Sequence, residues 1–128
     1  MANKTFIAHQ GESFTIEWYF NNRGKSSVLE YYENLPPERK KKLAHLLILL
    51  GDMGAIRNEE KFRHEGNQIY VFKIKPDRFF CFFYDGSKVI ITNAYEKKMD
   101  KMSVKEKEKA LKARDDYIDR CKRGNYYD

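Results

Sequence analysis

Residues 69–83, IYVFKIKPDRFFCFF, decide the fold. Two runs rich in aromatic and β-branched residues flank Pro76-Asp77, which reads as the two-residue turn of a tight β-hairpin. With Lys75 paired to Arg78, residues 73 and 80, and then 71 and 82, stand opposite each other. Directly opposed residues point to the same side of a sheet. One face then carries Tyr70, Phe72, Ile74, Phe79, Cys81 and Phe83, all suited to a core. The other carries Lys73, Lys75 and Arg78 beside Val71, Phe80 and Phe82. Permanent positive charge on a rigid sheet, flanked by aromatic surface, suits a phosphate-bearing partner.

Composition points the same way without choosing the partner. The chain has 128 residues, with 25 Lys+Arg against 19 Asp+Glu and a net charge of +6. That length suits one domain, residues 1–128, with one core. The charge excess favours RNA, DNA or an acidic protein. Aromatics at 15% are enough to fill a small core without disulfides. Cys81 falls in a strand and Cys121 in a helix, and both are expected as buried, reduced thiols compatible with cytosol. The start MANKTFIAHQGE has no apolar signal region, and LAHLLILL (43–50) is too short to span a bilayer. The expected location is cytoplasmic.

Residues 5–8 and 14–20 read as short strands, the second alternating as FTIEWYF. Ser26 or Ser27 caps a short helix running to Glu33. Leu35-Pro36-Pro37-Glu38 opens a second helix, since proline is tolerated in a first turn. Its stripe is Leu43, Leu46, Leu47 and Leu50, and Gly51 ends it. Arg39, Lys40, Lys41 and Lys42 read as a solvated face. Further strand begins near Lys61. Asp85-Gly86 is a turn, and residues 88–95 form the next strand. Ser103 and Glu106 make a capping box for a last helix whose stripe is Val104, Leu111, Ile118 and Cys121. Residues 123–128 read as a frayed tail. The expected fold is α+β, a small, mainly antiparallel twisted sheet with helices packed on one face.

That arrangement leaves the opposite sheet face for a ligand. The strand 88–95 runs back to the Pro76-Asp77 end of the hairpin, where Glu96-Lys97-Lys98 emerges. Lys73, Lys75, Arg78, Lys97 and Lys98 therefore converge at one edge, and a one-residue slip changes only which of residues 89–95 face the ligand. Five cations can bind an RNA phosphate and stabilise a phosphorane-like transition state. Arg78 suits bidentate contact with phosphate oxygens, and crowding by Lys75 and Arg78 lowers the pKa of Lys73, which suits it to general-base work. RNA carries its own nucleophile, the 2′-OH, so this chemistry calls for neither metal nor cofactor.

The remaining candidates are weaker. His9, His45 and His64 show no metal-ligand spacing, and His64 is the one placed near the patch. Phe80 and Tyr95 are candidates for stacking on bases; a partial core role is the alternative for Phe80, and the register decides which face Tyr95 takes. Glu59, Glu60 and Glu65 make no paired-carboxylate arrangement, and Walker, GxGxxG and nucleophile-elbow motifs are absent.

Three elements carry a family resemblance: the leucine-rich helix after LPP, the hairpin FK…DRFFCFFYDG, and the strand end AYEKK before a helix containing Ala110. Over about Leu35 to Ile118 the chain resembles the RelE/ParE toxin superfamily, and within it the HigB-like, phage-derived branch. The resemblance implies a RelE-like fold and a type II toxin–antitoxin toxin that cuts mRNA in the ribosomal A site without a metal. It also implies a cognate antitoxin, often a helix-turn-helix protein. Lys73 matches the strand lysine that assists 2′-OH activation or charge stabilisation. Arg78 matches the arginine that holds the scissile phosphate, and Lys97 and Lys98 match the basic pair after the last strand.

Two departures stand against the pattern. Val71 occupies a position where some members carry a second lysine. The C-terminal acid/base tyrosine has no counterpart at Met99, Asp100 or Met102. Two alternatives therefore stand beside the nuclease: a ParE-like toxin that inhibits DNA gyrase by binding, and an inactive RNA-binding phage remnant.

Overall fold

The computed structural model describes residues 4–99 and 101–128, so Asp100 lies outside the described residues. Six strands form one sheet: β1 (Ile7–Gln10), β2 (Thr15–Trp18), β3 (Phe62–His64), β4 (Tyr70–Ile74), β5 (Asp77–Tyr84) and β6 (Lys88–Glu96). Their order is β1-β2-β6-β5-β4-β3, parallel only between β2 and β6. Three helices pack on it: α1 (Ser27–Glu33), α2 (Pro37–Met53) and α3 (Val104–Lys122). The α+β class and the mainly antiparallel sheet are as expected.

The helices are shared between the two faces of the sheet, where a single covered face was expected. α1 and α2 bury Val28, Leu43, Leu46, Leu47 and Leu50 against Phe72, Ile74, Phe79, Cys81 and Ile91. α3 lies on the other face, over Ile69, Val71, Phe80, Phe82 and Ile90. The cause is compositional. Val71, Phe80 and Phe82, read as lying beside the charges on the ligand face, are at most 3% exposed and belong to a second core. Only the end of that face remains open.

Several helix details differ from expectation. α2 runs through Gly51 and ends at Gly54, whose φ of 81° is the left-handed conformation of a helix stop. Gly51 instead admits the β1–β2 loop, and its carbonyl accepts from the Ser13 and Phe14 amides at 2.8 and 2.9 Å. A Cβ on Gly11 would lie 2.2 Å from the Gly51 backbone, so that close approach requires glycine. In α3 the buried side chains are Ala110, Ala113, Tyr117 and Arg120. Val104 is exposed, while Leu111, Ile118 and Cys121 lie at the margin of the second core. Small alanines let the helix sit close to the sheet.

The tail folds back onto the domain. Tyr126 is 2% exposed, and its hydroxyl accepts from the Phe20 amide at 2.9 Å. Tyr127 donates to the buried Glu17 carboxylate at 2.8 Å. Both cysteines are free thiols; Cys81 is buried and Cys121 half-buried. Burial pushes the Cys81 thiol well above its ordinary range. No described helix is long and apolar enough to cross a membrane.

The hairpin loop lies one residue earlier than its sequence suggests. Ile74 pairs with Asp77, Lys73 with Arg78 and Val71 with Phe80. The loop is therefore Lys75-Pro76, joined by a cis peptide bond. Asp77 belongs to the strand because its carboxylate is fully buried and accepts hydrogen bonds from Arg39 and Tyr31. Moving the loop by one residue shifts every cross-strand partner by two, which preserves the side chains that share a face. The division into core and cationic faces therefore stands.

A bulge in β6 then sets what faces the site. Tyr84 pairs with Lys88 across the loop 85–87, and Cys81 pairs with Ile91, yet Phe80 pairs with Asn93. Thr92 is the extra residue. Its hydroxyl bonds to the Phe80 carbonyl and the Asn93 side chain. Beyond it the alternation is reversed, and Tyr95 and Lys97 follow Arg78 onto the α3 face.

Candidate functional site

Lys73, Arg78 and Tyr95 stand directly opposite one another on β4, β5 and β6. Opposed side chains on neighbouring strands have Cβ atoms roughly 4.5–5.5 Å apart, which makes the three a continuous row. Lys97 extends it beyond β6, its amide donating to the Pro76 carbonyl at 2.8 Å. Arg63 reaches the same face from β3, where it pairs with Val71. These residues, with Glu65, Phe80 and Met102, enclose a cavity of about 200 Å³ just past the start of α3.

The electrostatics are those of an anion site. Arg78 spends one donor on the Asp77 carbonyl at 3.0 Å, and no ion pair among the described residues engages it. Partial burial holds the Lys73 ammonium below the ordinary lysine range, and the charges of Arg63, Arg78 and Lys97 push it further down. Glu65 opposes that shift. It is the one carboxylate in the lining, with an oxygen 3.6 Å from Arg63 Nε. Its amide donates to the Ile69 carbonyl at 2.8 Å, which fixes the turn that carries it.

α3 closes one side. Ser103 caps the helix, its hydroxyl accepting from the Glu106 amide at 3.2 Å. The expected box is only half formed, because the Ser103 amide donates to the Tyr95 hydroxyl. Glu106 turns instead to the Asn93 side chain and to Lys109. Tyr95 thus ties the row to the helix start while its ring lies stacked on Phe80, centroids 5.9 Å apart.

Of the residues expected here, Lys73, Arg78, Lys97 and Tyr95 come together. Lys75 sits at the hairpin tip and opens onto a different groove. Lys98 is exposed past the end of β6 and lies outside the cavity lining. Phe80 is fully buried, so it forms the floor beneath Tyr95 and offers no face to a base. His64 pairs with Tyr70 and packs on that ring at 4.8 Å, on the opposite side of the sheet from the cavity. Its neighbours Arg63 and Glu65 hold the place instead. Alternation from Phe62, a core residue, carries that signal.

Among the described residues no three His, Cys, Asp or Glu side chains gather as a metal-ligating group. No curated protein matches the chain. The model of the phage-derived Gp49-like family (DUF891) matches residues 30–115, which include every residue of the cavity lining. The match spans more than half of the 128 residues. On that match the chain belongs to the phage-derived Gp49-like family.

Proposed function

We propose that this chain is a RelE/HigB-like toxin of a type II toxin–antitoxin pair, which cuts mRNA in the ribosomal A site of the cytoplasm. The observation that carries the reading is the Lys73–Arg78–Tyr95 row, with Lys97 and Arg63 beside it, around one small cavity.

Arg78 holds two non-bridging oxygens of the scissile phosphate, and Lys97 adds charge as the phosphorane forms. The Glu65 carboxylate accepts the 2′-OH proton. The 2′ oxygen bonds to phosphorus and the bond to the 5′ oxygen breaks, with Lys73 supplying the proton to that leaving oxygen. The products are a 2′,3′-cyclic phosphate and a 5′-OH. Lys73 suits the donor role because its lowered pKa makes the ammonium a stronger acid than an ordinary lysine. Tyr95 presents the stacking surface. A cognate antitoxin, of the helix-turn-helix kind, holds the toxin inactive until needed.

The test is induced expression with mapping of mRNA 5′ ends. Codon-linked cuts inside translated regions are expected, and Arg78→Ala should remove them. A DNA-damage response with intact mRNA would instead place the protein among gyrase-binding toxins, and growth without any effect would leave an inert remnant.

A further inference from the structure

Lys73 faces two cavities. Its side chain lines the phosphate cavity and also a groove of about 430 Å³ between α2 and the β3–β4 edge. The floor of that groove is apolar, formed by Leu46 and Ile74, each 4% exposed. Lys41, Lys42, Lys61 and Lys75 form an exposed rim. His45 and Glu60 complete it, so one carboxylate faces five ammonium groups. No ion pair among the described residues engages any of the four rim lysines.

Local structure explains the assembly. Lys41 and His45, and likewise Lys42 and Leu46, are one helical turn apart on α2 and share a face. β3 pairs with β4 only from Phe62 to His64, so the last part of β4 is a sheet edge. There the Lys73 amide donates to the Lys61 carbonyl at 2.8 Å, which brings Lys61 alongside. Lys75 reaches in from the hairpin tip.

We propose that this groove is a second nucleotide subsite. It holds the base and outer phosphate of the nucleotide next to the one whose phosphate sits on Arg78. The proposal rests on the Arg78 cavity being the scissile-phosphate site. Three features favour single-stranded RNA. An apolar floor removes a heterocycle from water while the rim meets its phosphate. The volume lies within the range of small-molecule sites, roughly 300–1,000 Å³. The two cavities share Lys73, so one chain with repeating phosphates can occupy both. An acidic peptide would satisfy the rim and leave the floor unused.

The test measures binding of the purified full chain to uncleavable, fully 2′-O-methyl oligoribonucleotides by fluorescence anisotropy. In the wild type, affinity should rise at least tenfold from two to four nucleotides. The variant K41Q/K42Q/K61Q/K75Q should bind the dinucleotide as before and lose that gain. Its salt slope for the tetranucleotide should fall, by about 0.7 for each phosphate that is no longer neutralised. Arg78→Ala should instead weaken the dinucleotide. All five positions are outside the buried core, and thermal melting checks the fold. A length gain that survives the quadruple substitution overturns the subsite while leaving the Arg78 reading intact. Dinucleotide binding unaffected by Arg78→Ala overturns both. An abasic outer nucleotide that binds as tightly as the intact one overturns the base-holding role. Hexaglutamate binding that disappears in the quadruple variant, with the RNA gain retained, assigns the groove to an acidic protein segment and also overturns the proposal.

Discussion

Arg39 holds both oxygens of the buried Asp77 carboxylate, Nε to Oδ2 and Nη2 to Oδ1, each at 2.7 Å. Tyr31 donates a third hydrogen bond at 2.5 Å, and burial together with this carboxylate pushes its phenol far above the ordinary range. Asp77 immediately precedes Arg78, so α2 anchors the residue that orients the proposed phosphate ligand. Arg39→Ala leaves a buried carboxylate without its cation, the costly way to break such a pair. The expected result is a melting temperature lowered by several degrees and reduced mRNA cleavage. Arg39→Lys keeps the charge, loses the two-pronged geometry and should fall between. Differential scanning calorimetry with a translation-coupled cleavage assay checks both.

Arg78→Ala should act in the opposite proportion. Its guanidinium bonds only to the neighbouring Asp77 carbonyl, so removing it costs the fold little. Loss of a preorganised donor at a developing oxyanion typically costs about 10²–10³ in rate. Cleavage should drop by roughly that factor with an unchanged melting temperature. A folded Arg78→Ala protein with full activity would remove the cavity from consideration.

The lowered pKa of Lys73 predicts the direction of a pH response. If its ammonium supplies the leaving-group proton, the rate falls as pH rises through a value below the ordinary 10.5 of lysine. Lys73→Arg should move that limb up and out of reach, because guanidinium stays protonated. Stability moves the other way. Between the folded and unfolded pKa values the unfolded chain binds more protons, so stability from this group rises with pH across that window. Single-turnover cleavage from pH 6 to 10, beside chemical denaturation at the same pH values, separates the two trends.

The C-terminal tail supplies a test of the second core. Tyr126 packs edge-on against Tyr117 at 4.5 Å and lies beneath the Arg120 guanidinium at 4.6 Å. Tyr126→Ala should cost about 3–5 kcal/mol, as truncation of a large buried ring does. Tyr126→Phe removes only the hydroxyl that accepts from Phe20, about 1 kcal/mol. Urea denaturation of the two variants measures the difference, and equal losses would mean that the ring contributes nothing.

Alternation carried most of the fold and half of the cavity. The run of residues 69–83 separates core from cationic face by parity alone, and parity survives the misplaced turn. What parity cannot show is a second layer. Val71, Phe80 and Phe82 read as surface until α3 covers them, because its inner face is built from two alanines, one tyrosine and a buried arginine instead of a long apolar stripe. Arg120 is legible as a core residue only once Asp116 and the Phe20 carbonyl are seen to satisfy it. Gly51 is ambiguous for a similar reason: a glycine that stops a helix and one that admits a neighbouring loop look the same in sequence. Chemical type favours His64 over Arg63 for the patch, although the alternation from Phe62 points to Arg63.

The Thr92 bulge gives β6 two reading frames. From Val89 to Ile91 odd positions face α2, and after Thr92 odd positions face the cavity. In the first frame the strand would offer Ala94 and Glu96 where Tyr95 and Lys97 now stand. Glu96 is instead directed to the α2 side, 3.7 Å from Arg39. Drawing Thr92 into a regular ladder opposite Phe80 would leave the composition of charge untouched, yet it would exchange an ammonium for a carboxylate beside Arg78. The sign of this surface is set by which residue of one strand is left out of the ladder.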